Sequence, residues 1–535
     1  MRSWCCRRLP RPWRQGFHLL LVTVALPGST SGAGATDGVQ PDSRISRRAA
    51  TPNAAPGPAL AKFHARLAQL EAGEIRQVVV LQIGDSHTAS DHLSGHLRSL
   101  LQKRFGNAGR GLLPPGAPHD YYRPYQIAVA QTGKWRVLTS NKIAPDPVPF
   151  GLSGTVARGH EPTDIIAIDD RSGTPLSSLE VGYLRRPDGG SFQVWVDGQP
   201  LAASTTSDGN GQRIVATYEI SGPGQRIEVR PSGNGPVDLT DLRLIGKERG
   251  IQLANIGFPG AQVGIMARWH ADAVSRQLTE IDPALIIMAF GTNEGFASLE
   301  RIAGTYARTL DKAIALLAAA APHASIAVVG PPDANRYPRF CLPPAMQAPA
   351  PEPAPAPADR APIVSAEPAE KPAVAAPGQT VTAAEPAVGR VSDTGSAGPA
   401  PPPLPRTAAK GRRALVPPEP PPHAICEPLS AEEREGYDKR LSAHDRRLCR
   451  WHTPAAIPLV RNLQRAAAAT HGALFWDWSE LFEGECGADR WFRRGLAHKD
   501  RVHFKQQGYA LAAQRLYAAL LAGYLQAAAG IRTRE

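Results

Sequence analysis

The stretch Arg76-Gln-Val-Val-Val-Leu-Gln-Ile-Gly-Asp-Ser-His-Thr-Ala-Ser-Asp-His92 changes character at its middle. Val78, Val79, Val80 and Ile83 form a β-branched apolar run that ends at Gly84-Asp85-Ser86-His87. Leu93, Leu97, Leu100, Leu101 and Phe105 then recur at helical spacing. This is a buried strand, a tight turn and a helix. In open α/β sheets reactive groups gather at the carboxyl ends of strands, beside helix N-termini that stabilise negative charge, so Ser86 is a candidate nucleophile. Taken alone, the commoner reading is that Asp85, Ser86 and Thr88 cap the helix.

The same rhythm returns downstream. Ile251–Ile256, Ala284–Phe290, Ala324–Val329 and Ala473–Trp476 read as strands, and helices are expected over Val263–Leu278, Leu299–Ala321, Leu459–Thr470 and Tyr509–Leu525. Alternating strands and helices predict a parallel sheet covered on both faces. Before it, Leu60, Phe63, Leu67 and Leu70 mark a helix stopped by Gly73. Between about Tyr122 and Lys247 the period shortens to alternating runs such as Phe192–Val196 before Asp197-Gly198, which predict an inserted β-sandwich of jelly-roll type. Exposed aromatics such as Trp135, Tyr183 or Trp195 could stack on sugar rings; for Trp195, in an apolar strand, core packing is the expectation. Asp169-Asp170 are read as solvated acids rather than a calcium site. The cluster Gly106-Asn-Ala-Gly-Arg-Gly111 is expected to form a loop near Ser86, and it lacks the pattern of a phosphate loop.

At 535 residues, with 52 prolines and 50 glycines, the chain exceeds one ordinary domain and part of it is not expected to pack. Five arginines in Met1–Arg14, an apolar Phe17–Leu26 and the small residues Gly28–Ala35 form a secretory signal. That apolar run is too short for a lasting anchor, no cysteine follows at a lipidation position, and a periplasmic or secreted protein without a membrane span is expected. Taking those arginines away lowers the formal charge from +12 to about +7. This suits an acidic polymer such as cell wall or polysaccharide, but the charge is spread out and a solvated surface is the expected meaning; no basic-aromatic run points to nucleic acid. The expected organisation is a signal over 1–35, a flexible leader over 36–58, α/β segments over 59–121, 249–341 and 426–535, the β insert over 122–248, and a disordered Pro/Ala-rich insertion over 342–425. Cys341, Cys426, Cys449 and Cys486 remain after the signal and allow three disulfide pairings; Cys341 with Cys426 and Cys449 with Cys486 is favoured. Their spacing matches no zinc motif, and neither metal nor cofactor is expected.

Other positions join Ser86. In Asp500-Arg-Val-His503, residues three apart face the same way on a turn, so Asp500 can orient His503 toward a nucleophile. Gly260 and Asn293 follow other strands and offer a backbone N–H and a side-chain amide to an oxyanion. Each has a plainer reading, as a turn or a cap; together they are harder to dismiss. His87 is read as structural, pointing away from Ser86. No Gly-x-Ser-x-Gly elbow is present.

Gly84-Asp85-Ser86, Gly260, Gly291-Thr-Asn293-Glu and Asp500-x-x-His503 resemble, in order, the four blocks of the SGNH (GDSL-type) hydrolases. Glu294 stands where the third block usually has Asp. The run Ile-Gly-Asp-Ser-His-Thr-Ala-Ser-Asp, the downstream Arg-Phe-Gly-Asn-Ala-Gly-Arg-Gly and the β insert are similar to the peptidoglycan O-acetylesterases of Gram-negative envelopes. The resemblance implies a three-layer α/β/α fold, an insert like a carbohydrate-binding module, and an O-acetylated glycan as partner. It also implies a serine esterase with Ser86, His503 and Asp500 as catalytic residues and Ser86, Gly260 and Asn293 as oxyanion hole. An O-acetyltransferase on the same scaffold and a non-catalytic wall-binding protein are the alternatives.

Overall fold

The computed structural model describes residues 58–142, 148–222, 224–342, 420–421 and 423–532. The expected signal, nearly all of the leader and most of the Pro/Ala-rich insertion lie outside the described residues. Five parallel strands form the central sheet: β1 (Gln77–Gly84), β2 (Gly250–Gly257), β3 (Leu285–Ala289), β4 (Ser325–Val329) and β5 (Leu474–Trp476), in the order β2-β1-β3-β4-β5. The order reverses at β1, and in open α/β sheets such a switch point is where ligands bind, beyond the carboxyl ends of the strands. Register sharpens this, because Gly84 of β1 lies level with Gly257 of β2 and Ala289 of β3. The chain therefore leaves all three strands at one height.

Both faces of the sheet are apolar, which is why its strands read as continuous hydrophobic runs. Val78 and Val80 pack under the helices Ala61–Ala72, His92–Phe105 and Gln506–Arg532, through Phe63, Leu67, Leu97, Leu101, Tyr509 and Leu516. Val79, Leu81 and Ile83 face the other way, against the helices Ala271–Ile281, Ala307–Ala320 and Ala456–Thr470. The result is the expected α/β/α sandwich. The first helix ends where expected, at Gly73 with φ +89°, and Ser430 and Glu433 form a capping box at the start of the helix Ala431–Glu435. One expected helix is broken. Val263–Arg268 is a 3₁₀ segment and a regular helix starts only at Ala271. Between them Trp269 donates to Ser140 Oγ and the His270 N–H to Phe150 O, so contacts to a distant segment override the local helical pattern.

The remaining strands form two antiparallel sheets of six and five strands, enclosing a core that includes Leu179, Val181, Phe192, Val194, Ile227 and Leu242. The short strand Gly111–Leu113 pairs with Val237–Gly246 of the six-stranded sheet. Asp197 and Gly198, both at positive φ, turn the expected hairpin. The aromatics differ from expectation. Trp135 and Tyr183 are buried, the indole lying over Gly159 and the phenol edge-on to Phe192 at 5.3 Å, so neither is available to a sugar. Trp195, expected in the core, is on the outer face beneath Arg230, 4.8 Å from the ring centroid. The alternation that buries Phe192, Val194 and Val196 puts Trp195 and Gln193 on the opposite side.

The favoured disulfide pairing is also corrected: Cys341 is bonded to Cys449 and Cys426 to Cys486. Single bridges Arg336↔His452 and Cys426↔Trp451 lay three segments side by side. That alignment brings Cys341 to Cys449 and leaves Cys426 for Cys486, at the start of the helix Gly487–Arg493. The glycine cluster 106–111 is not at the Ser86 end of the sheet. Asn107 bridges Ile251 at the beginning of β2, and a side chain at Gly106 or Gly109 would strike the backbone of Arg249 or Gly246. The glycines serve close backbone approach there.

Candidate active site

The turn after β1 is tight. A Cβ at Gly84 would lie 2.4 Å from Ala289 O and 2.3 Å from Thr88 Oγ1, so only glycine fits. Asp85 then caps the following short helix, its Oδ1 accepting the His87 N–H at 3.0 Å. Because Asp85 is the cap, the Ser86 hydroxyl is left for another partner, and that partner is His503, with Oγ 2.9 Å from Nε2 across 417 residues of sequence. His503 Nδ1 is 2.7 Å from Asp500 Oδ2. A carboxylate only accepts, so Nδ1 carries the proton and Nε2 accepts from Ser86. Asp500 Oδ1 meanwhile accepts the N–H groups of Val502 and His503, both at 3.0 Å. Asp500 is thus both turn cap and histidine partner.

The electrostatics follow from these contacts. Burial opposes charge on His503, but the hydrogen bond and charge of Asp500, with Asp85, outweigh it and raise its pKa above 6.5. Burial would raise Asp500; the His503 hydrogen bond and the backbone N–H groups prevail and hold it at about 2. Asp85 is pushed up to about 6 by burial, partly offset by the His87 N–H and the His503 charge. His87, as expected, is structural: it is buried, 2.9 Å from Tyr509 OH through Nδ1 and stacked on Phe504. Burial keeps its pKa far below the usual value, so a neutral ring lies 5.4 Å from that of His503.

The loop carrying Asp500 and His503 depends on residues that sequence reading missed. Arg501 has φ +52°. Its Nε is 2.7 Å from Asp489 Oδ1, its guanidinium lies 4.1 Å from the Trp451 ring and 4.2 Å from the Phe492 ring, and its carbonyl accepts the Asn335 N–H. Asn335 Oδ1 in turn accepts the Asp489 N–H at 2.8 Å. Nothing local flags this cradle, since Arg501 is merely an x in Asp-x-x-His.

Gly260 and Asn293 arrive from the neighbouring strand ends. Gly260 is exposed at φ +75° with open space where a side chain would be, so its glycine serves conformation. Asn293 makes no side-chain cap; its Nδ2 donates to Ala261 O at 2.9 Å, tying it to the Gly260 turn and leaving the second amide hydrogen. Among the described residues neither the Ser86 nor the Gly260 N–H donates to another protein group. Also among the described residues, no group of three His, Cys, Asp or Glu is placed to hold a metal ion, and no helix is long and apolar enough to cross a membrane.

No protein-family model and no curated protein matches the chain. Among solved structures, one described as a peptidoglycan O-acetylesterase "in action" aligns over 88% of this chain and 99% of its own, with TM-score 0.58 and 20% identity. A family two carbohydrate esterase from Cellvibrio japonicus aligns over 41% and 78% at 12% identity and TM-score 0.17. A lipase/acylhydrolase from Enterococcus faecalis aligns over 50% and 75% at 13% and 0.23. The last two likenesses are too slight to argue from. The first shows the fold: an SGNH-type α/β/α sandwich with an inserted β domain.

Proposed function

We propose that this chain is an exported serine esterase that removes O-acetyl groups from peptidoglycan or a related envelope polysaccharide. The observation that carries the reading is the relay from Asp500 through His503 to Ser86, at 2.7 and 2.9 Å, beside two backbone N–H groups with no protein partner among the described residues. His503 takes the Ser86 proton as Oγ bonds to the acetyl carbon. The carbonyl oxygen becomes an oxyanion facing the N–H groups of Ser86 and Gly260 and the Asn293 amide. Collapse expels the sugar oxygen, which receives the proton from His503. Water, deprotonated by His503, then attacks the acetyl-serine; collapse of this second adduct releases acetate, and the proton on His503 returns to Ser86 Oγ. Asp500, ionised far below neutrality, steadies the imidazolium in both halves. The two disulfides support an oxidising location outside the cytoplasm. The acetylesterase that shares the fold supports an acetylated glycan as substrate.

The test is acetate release from an acetyl ester reporter and then from O-acetylated cell wall. Full activity in Ser86→Ala, or none in the wild type, would sink the proposal. Adding a glycan acceptor tells hydrolysis from transfer, because a transferase makes new esters in preference to acetate.

A further inference from the structure

Glu294 is 2% exposed and makes no ion pair among the described residues. Burying such a carboxylate costs stability unless it is well hydrogen-bonded. Its two oxygens are spent on two different turns: Oε1 accepts the Val263 N–H at 2.7 Å and Oε2 the Gly291 N–H at 3.1 Å. Val263 lies three residues after Gly260, and Gly291 two before Asn293. One carboxylate therefore spans the turns that carry both oxyanion donors outside the Ser86 helix. Neutral bonds complete the junction, from Asn293 Nδ2 to Ala261 O at 2.9 Å and from Gln262 Nε2 to Asn293 O at 3.3 Å. A glutamine at 294 would offer one acceptor and present a donor to the other N–H, so only a carboxylate satisfies both. Burial, with Asp85 nearby, raises the Glu294 pKa to about 7, against the Val263 and Gly291 N–H groups, which favour the carboxylate.

We propose that Glu294 is a positioning residue that locks the Gly260 N–H and the Asn293 amide at the spacing an oxyanion on Ser86 requires. The inference rests on the esterase reading above. The full chain is assayed with an acetyl ester reporter as wild type, Glu294→Gln, Glu294→Asp, Asn293→Ala and the Asn293→Ala, Glu294→Gln double variant, with thermal melts to establish that each is folded. Glu294→Gln is expected to lower kcat roughly 10- to 100-fold at unchanged KM, the scale of a displaced catalytic group. Glu294→Asp, which keeps the carboxylate on a shorter arm, falls between Gln and wild type. In the Asn293→Ala background the Gln substitution costs far less, because a donor it positions is gone. Equal fold-losses in both backgrounds overturn the inference. So does wild-type kcat in Glu294→Gln or, should that variant not fold, in Glu294→Asp. A wild type that hydrolyses no ester removes the esterase reading itself, and this inference with it.

Discussion

The proposed acid–base pair, Asp500 and His503, and the proposed oxyanion donors, Gly260 and Asn293, are held by different physics. The acid–base side is a loop remote from Ser86 in sequence, pinned by the Arg501 guanidinium between Trp451 and Phe492 and by a neighbourhood closed with two disulfides. The oxyanion side hangs directly on the ends of β2 and β3, whose register with β1 is set by ladder hydrogen bonds, and is joined by side chains over a few residues. A strand end is placed by the sheet, and the turn beyond it needs only short local ties such as those made by Glu294 and Asn293. A loop must be tied down by contacts from elsewhere, and those ties are its weak points.

Substitutions separate the two sides. The largest effect is expected where they meet: Ser86→Ala or His503→Ala should lower kcat on the order of 10⁶-fold with the fold intact, measured as acetate release against a thermal melt. Asp500→Asn, which removes only the partner of Nδ1, is expected to cost about 10⁴-fold. It also changes the pH profile. His503 must be neutral to accept a proton and its pKa is raised, so wild-type kcat/KM should fall as pH drops through a value above 6.5, and Asp500→Asn should move that limb to lower pH. Stability responds with the opposite sign. The raised His503 value contributes stability that is present below 6.5 and lost as pH rises through the folded pKa; a melt difference between wild type and Asp500→Asn that grows on the alkaline side would contradict this.

On the oxyanion side, Asn293→Ala is expected to lower kcat roughly 10²- to 10³-fold and to leave the position of the pH limb unchanged, because it touches no titrating group of the relay. The smallest catalytic effect is expected from the Cys426→Ser, Cys486→Ser pair. Its cost should appear first in denaturant unfolding, at about 2–4 kcal/mol, with a modest loss of kcat through the acid–base loop. A double variant with unchanged unfolding midpoint would show that the loop is held without that disulfide.

Much of the central sheet was legible because a strand buried on both faces needs a run such as Val78–Ile83 or Leu285–Ala289, and few other environments do. The candidate site residues were legible as types at strand ends or before the last helix, but their company was not. Capping and nucleophile readings of Gly84-Asp85-Ser86 were both open locally. Tertiary structure divided them, giving the cap to Asp85 and the hydroxyl to His503. Trp195 shows a narrower failure: its strand was found, but the inward face belonged to Phe192, Val194 and Val196.

By itself the sequence determined which residues end strands, where helices cap and stop, and that four chemically apt groups follow strand ends or precede the last helix. These are local consequences of burial periodicity and backbone conformation. Only the tertiary structure decided which cysteines meet, that Arg501 anchors the loop bearing Asp500 and His503, and that Glu294 joins two turns. Each of those depends on distances between segments far apart in the chain, and such distances are set by packing rather than by the spacing of residues along it.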